Sequence, residues 1–531
     1  MQRMWKTGLL AFAMVALVCG DSVSQETKTA ASVAAEVGKT IGAANVKSIQ
    51  YSGTGYAGFN FSCKPGGPWA KFKLTSYTRV IDYEKGASQQ AEKWAQYTKT
   101  CGAGFQPVMG SISDVQSLNG DVAWSFGGPG PDNAPPDGAP APGAVEERKL
   151  EMALTPYGWV KAVAAAQNPT METKTVDGKE LTVVSFFPAG KRKLSGYVDA
   201  QHLLVRTDFW ANNDMLGDSA TVTLYSDYKD FSGIKVPMKI QRMSCYGNNF
   251  QVKFSEGEGL PGCMPQLDLM VSDVQLNMPT HVDVPNSIRQ AMNNRGEGGG
   301  EGGRGVQSQK IADGVWVLAG GGTQSLAVEF KDYAVVVEAS GNEARSLAVI
   351  AETKRLIPNK PIQYVVNSHH HLDHAGGLRT YVAEGSTIIT NEINKPFYEQ
   401  IFQYPHTLRP DKLAQNPKPA MFITVKDKYV LTDGDRSLEL DREQGQEHDE
   451  GLMMVYLPNS KVLFPSDAFM LDHAHPGTRT TLGMGQNLLD NVKRLKLDVA
   501  QVVPVHSATG VFAVSFEDAK KRIIERHGDG N

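Results

Sequence analysis

The alternation of apolar and polar residues changes character along this chain. Runs rich in β-branched and aromatic residues recur at Leu181–Phe187, Leu194–Asp199, Leu203–Trp210, Ala220–Tyr228 and Val236–Met243. Turn signals at Asp177-Gly178, Ala189-Gly190 and Ser232-Gly233 punctuate them, which predicts an antiparallel meander. Helical spacing predicts helices over Ala30–Ile41, Gln89–Lys99 and Trp159–Ala166. From Gln309 onward β and α segments alternate instead. Strands are expected at Val315–Leu318, Leu326–Phe330, Tyr333–Val337 and Ile362–Val366, with a helix at Glu343–Leu356. Further strands follow at Leu452–Leu457, Val462–Phe464 and Val499–Val503, and Phe516–Arg526 closes as a helix.

A chain of 531 residues exceeds what one core usually serves. The glycine-rich stretch Asn293–Gly305 divides it. The expected organisation is a signal peptide over 1–20, a β-rich domain over 26–292, a linker over 293–308 and a second domain over 309–531. The proline-rich stretch Gly127–Gly143 reads as a surface loop interrupting the first domain. A net charge of −4, from 53 basic and 57 acidic residues, offers no field for nucleic acid or an anionic membrane.

Arg3 and Lys6 precede an apolar run from Gly8 to Val18, which is the layout of a secretory signal cleaved near Gly20. A periplasmic or secreted location is expected, with a membrane as partner only if Cys19 is lipidated. Removing the signal leaves Cys63, Cys101, Cys245 and Cys263. Proximity favours pairing Cys63 with Cys101 and Cys245 with Cys263, although four cysteines allow three pairings.

The chemistry concentrates after the strand ending Val365-Val366. There NSHHHLDHAGG, Asn367–Gly377, carries His369, His371, Asp373 and His374 in the order H-x-H-x-D-H. Alternate residues of an extended segment face one side, so His369 and His371 can grip one cation while Asp373 and His374 turn toward another. One motif cannot fill two such shells, but His448, Asp467 and His506 lie at or beside later strand ends. His406 stands apart from this set, and Asp472-His473-Ala474-His475 lies just beyond Asp467, where it could line a substrate entrance.

The order and setting of these seven residues resemble the metallo-β-lactamase superfamily across Gln309–Arg526. The resemblance implies an α+β protein in which the second domain is an αββα sandwich. It implies two zinc ions per chain: His369, His371 and His448 on the first, Asp373, His374 and His506 on the second, and Asp467 bridging. It further implies hydrolysis of a small ester, lactone, thioester or related substrate by a hydroxide held between the metals, with Asp373 and Asp467 as catalytic residues. Departures from the family pattern are Glu447 and Asp449 around the third histidine, Ser466 and Val505 where glycine is often found, and Glu338 where an Asp often ends an early strand.

A bridging carboxylate resembles the superfamily's esterase-like, thioesterase-like and phosphodiesterase-like members, and β-lactam cleavage is the alternative reaction. In the first domain, GDSATVTLYSDYKDFSGIKVPMKI, Gly217–Ile240, resembles the curved sheets of periplasmic lipoprotein carriers. That resemblance implies an antiparallel curved sheet with helices and an apolar ligand, with a docking role as the other reading. A non-catalytic envelope ligand-binding protein with a structural metal site is the alternative from a different class.

Overall fold

Apolar alternation in the N-terminal half builds one large antiparallel sheet, seen in a computed structural model. It describes residues 28–59, 62–67, 70–96, 112–127, 137–188, 192–247, 262–294, 305–446, 448–471, 480–507 and 511–528. Among these, thirteen strands form the sheet as two meanders. One runs from Ser48–Phe59 outward to Ala139–Pro140, and the other runs from Thr170–Val176 inward to Cys263–Leu276. They join where Ser48–Phe59 pairs antiparallel with Cys263–Leu276. Helices Ala30–Ile41 and Pro156–Ala165 cover the sheet through Val33, Val37, Ile41 and Trp159, packed on Phe72, Leu74 and Leu269.

The strand Ser48–Phe59 has no apolar alternation to announce it. Its glycines permit close strand approach instead, because a Cβ at Gly53 would lie 2.2 Å from the Met270 carbonyl oxygen. The expected helix over Gln89–Lys99 is corrected: Ala87–Gln96 is a strand, and residues 97–99 lie outside the described residues. Its helix-favouring Gln, Ala, Glu and Lys residues are overridden by ladders on both sides. Trp94 is buried edge-on against Phe72, with ring centroids 5.1 Å apart.

Burying this strand costs something at Glu92. Burial, reinforced by the nearby Asp114 carboxylate, pushes its carboxyl from 4.5 up to about 7. The folded value lies above the unfolded one, so the contribution to stability is full below about 4.5 and is lost as pH rises through about 7. Urea unfolding should therefore show stability falling between pH 5 and 8, and Glu92→Gln should flatten that part of the profile; an unchanged slope would contradict this assignment.

Cys245 and Cys263 form the expected disulfide, on paired strands. Cys63 is also disulfide-bonded, its partner lying outside the described residues, as Cys101 does. The signal segment, Cys19 and residues 295–304 of the expected linker likewise lie outside them. Helix Asn286–Asn294 and strand Gln307–Ala312 extend into the two ends of the 293–308 stretch.

The C-terminal part consists of two sheets enclosed by helices. The first has seven strands in chain order from Gln307–Ala312 to Phe422–Val425, antiparallel until Ala334–Val337 and parallel thereafter. The second has six, from Lys428–Thr432 to Val514–Ser515. Side-chain alternation in Met453–Leu457 explains the layering. Met453, Val455 and Leu457 enter the core between the sheets with Val335 and Val337, whereas Met454 and Tyr456 meet Leu488, Val492 and Ile523 of the helices outside. Helix Glu343–Leu356 covers the other sheet through Val349 and Ile350.

The large sheet abuts this sandwich. Asp218 donates its backbone N–H to the Pro405 carbonyl at 2.7 Å, and its carboxylate accepts from the N–H groups of Thr407 and Leu408 at 2.9 and 3.0 Å. Tyr246 lies against Tyr404, ring centroids 6.4 Å apart.

Candidate metal centre

Strand Ile362–Val366 delivers the histidine motif to the edge of the sandwich, where the chain turns into the short helix Leu372–Ala375. The turn is held by Asn367, whose amide donates to the His369 carbonyl at 2.7 Å and accepts from the Tyr398 hydroxyl at 2.5 Å. Glycine follows the motif because a Cβ at Gly376 would sit 2.0 Å from the Gly341 carbonyl oxygen. His448 precedes strand Met453–Leu457, Asp467 lies in the turn after Val462–Phe464, and His506 pairs by an isolated bridge with Thr323.

All seven residues singled out in the sequence converge. His369, His371, His448 and Asp467 form one group of potential ligands, and Asp373, His374, Asp467 and His506 form another, the carboxylate being common to both. In the first, His369 Nε2 stands 3.0 Å from His371 Nδ1 and 3.1 Å from His448 Nε2, while Asp467 Oδ2 lies 3.0 Å from His448 Nε2. In the second, Asp467 Oδ1 is 3.0 Å from His374 Nε2 and 3.2 Å from His506 Nε2, and Asp373 Oδ2 is 3.5 Å from each of those nitrogens.

These donors fit cations better than they fit one another. The Ser368 hydroxyl donates to Glu338 Oε2 at 2.5 Å, so at His369 Nδ1, 2.9 Å away, it accepts. His369 therefore carries its hydrogen on Nδ1 and aims a lone pair from Nε2. The Ser62 carbonyl, 3.0 Å from His371 Nε2, can only accept, which leaves a lone pair on His371 Nδ1. Two lone pairs thus face each other across 3.0 Å inside a buried cluster. In the second group, His374 Nε2 and Asp467 Oδ1 are close but not aligned for a hydrogen bond, and Asp373 Oδ1 is buried with no partner among the described residues.

Charge is arranged accordingly. Burial, with its imidazole neighbours, lowers His371 to about 3 and lowers His369 as well, so these two imidazoles are ready to donate electron pairs. Burial alone would lower His506 too, but Asp467 and Asp373 override it and raise the imidazole to about 9. Burial would likewise raise Asp467 and Asp373, yet the histidines beside them hold both well below the usual carboxylate range.

The departures from the family pattern acquire physical reasons. Glu338 is fully buried, with φ at +76°, and accepts from the Ser368 backbone N–H at 3.0 Å and from His374 Nδ1 at 3.0 Å. Ser466, where glycine is often found, adopts φ +49° and places its hydroxyl 2.7 Å from that of Ser368. Asp449 pairs with His370, Nδ1 to Oδ2 at 2.5 Å, and accepts from the Gly451 N–H. Glu447 lies outside the described residues.

Reading the sequence overlooked His370 and Ser62; the adjacent histidines of Asn367–Gly377 offered a signal for the first, but nothing local marked the second. His406 is buried 3.8 Å from Asp411 and takes no part in either ligand group. His473 and His475 lie outside the described residues.

Comparison with known proteins agrees with this arrangement. Residues 318–506 match the family model described as the Metallo-beta-lactamase superfamily. Among solved structures, a metallo-beta-lactamase from Pontibacter korlensis is similar at 18% identity and a TM-score of 0.31, covering 42% of this chain and 99% of its own. One from Hirschia baltica is similar at 17% identity and a TM-score of 0.31, covering 42% and 98%. Comparison with curated proteins finds no significant match. The seven convergent residues all lie within the stretch, 318–506, that matches the metallo-beta-lactamase superfamily model.

Proposed function

We propose that the protein is an exported, zinc-dependent hydrolase that opens a small ester, lactone or thioester. The observation that carries this reading is the position of Asp467, one oxygen facing each ligand group. Bound there, two zinc ions supply a water of lowered pKa and charge stabilisation for the developing oxyanion of an acyl centre.

The chain's own groups do the rest. His369, His371 and His448 would hold one ion, and Asp373, His374 and His506 the other, with Asp467 common to both. Asp373 is only partly covered, so it is the carboxylate placed to relay a proton between water and the leaving group. Alkoxide and thiolate leaving groups need less proton assistance than the amine of an opened β-lactam, which favours esters, lactones and thioesters. An apolar ligand for the large sheet and a periplasmic or secreted location remain part of the same proposal.

Metal-replete protein assayed side by side should turn over aryl esters or lactones with a higher kcat/KM than any penicillin or carbapenem, and a chelator should abolish that activity. Efficient β-lactam cleavage without chelator-sensitive ester, lactone or thioester hydrolysis would overturn the proposal.

A further inference from the structure

We propose that Ser62–Lys64, a segment of the N-terminal half, is a positioning element of the metal centre, and that through it the large sheet governs how tightly His369, His371 and His448 hold their cation. The proposal rests on reading those histidines as ligands.

The segment follows strand Ser48–Phe59, some 300 residues before the histidine motif, yet it touches both loops that carry the first ligand group. On one side, the Ser62 carbonyl accepts from His371 Nε2 at 3.0 Å. This fixes the tautomer in which Nδ1 faces His369 Nε2, and a partner on the outer nitrogen also fixes the ring's orientation. The Ser62 hydroxyl spans the Lys64 carbonyl at 2.7 Å and His370 Nε2 at 3.2 Å. His370 in turn meets Asp449, the residue after His448. On the other side, the Glu450 N–H donates to the Cys63 carbonyl at 2.9 Å. Lys64 pairs with Glu450 at 3.1 Å, an exposed contact that adds little by itself.

Ser62, His370, His371 and Asp449 are all buried, so these bonds act without competition from solvent. Cys63, in the same segment, is disulfide-bonded, which restrains that segment further. His371 therefore takes its orientation from outside the sandwich that supplies every ligand.

Ser62, His370 and Asp449 also stand in the order of a hydrolase triad. The serine hydrogen, however, is given to the Lys64 carbonyl rather than to a base, so the arrangement orients rather than attacks.

The test uses full-length protein loaded with cobalt(II), whose visible spectrum reports ligand geometry, and zinc affinity measured against a chelating dye. Ser62→Ala should weaken the tighter or weaker of the two sites selectively, by about tenfold or more, and shift one set of cobalt bands while the other stays unchanged. Ser62→Thr, which keeps the hydroxyl, should restore both readouts, and Cys63→Ser should shift them in the same direction as Ser62→Ala. Ser62→Ala removes the hydroxyl but keeps the carbonyl that His371 faces, so wild-type affinity and spectrum in both Ser62→Ala and Cys63→Ser would overturn the proposal. So would parallel loss of both sites with a lowered Tm and no rescue by threonine, or covalent labelling of Ser62 by a fluorophosphonate. Failure of the wild-type protein to bind cobalt or zinc at all would overturn the ligand assignment itself, and this proposal with it.

Discussion

Replacing Asp467 with alanine should reduce bound zinc to one ion per chain or fewer, against the two proposed for the wild-type protein. It should also lower kcat for the best ester or lactone substrate by roughly 10²–10³-fold or more, the scale on which removing a single stabiliser of transition-state charge acts. One carboxylate serves both ligand groups, with Oδ1 beside His374 and His506 and Oδ2 beside His448. Its removal therefore cannot be confined to one ion. Asp467→Asn keeps the shape but removes the charge, so it should retain more of the fold's stability than alanine while losing comparable activity. Elemental analysis after gel filtration, paired with kcat, decides this; a variant that keeps two zinc ions and full turnover would refute the shared-carboxylate reading.

The seven candidate ligands were legible because they are chemically distinctive residues lying at, beside or just beyond apolar strands. The local pattern that predicts Ile362–Val366 also places His369 and His371 just beyond it. What surrounds the ligands was not legible, for a physical reason: those contacts join residues far apart in the chain. Ser62 meets His371 across 309 positions and Glu338 meets His374 across 36, and no local periodicity encodes either. The sheet shows the same division. Leu194–Val198 and Ile234–Tyr246 announced themselves through apolar residues, whereas Ser48–Phe59 depends on glycines whose purpose emerges only against Met270. Ala87–Gln96 has helix-favouring composition and becomes a strand because its neighbours offer ladders on both sides.

Glu338 carries the second large expectation. Its buried carboxylate accepts from the Ser368 backbone, the Ser368 hydroxyl and His374 Nδ1, and so it sets the ring that faces Asp467. Glu338→Ala should weaken metal binding by about 10–100-fold, the usual cost of losing such a partner behind a ligand histidine. It should also destabilise the metal-free protein by about 3 kcal/mol, since buried donors are left unpaired. The backbone at this position permits a separation of the two effects. With φ at +76°, Glu338 occupies a region where a side chain costs roughly 1–3 kcal/mol and glycine costs almost nothing. Glu338→Gly deletes the same carboxylate but releases that strain. The glycine variant should therefore be more stable than the alanine variant in urea unfolding, yet equally weak toward zinc in chelator competition. Equal stability of the two would show that the strain is not felt there, and wild-type zinc affinity in either would show that His374 needs no carboxylate behind it.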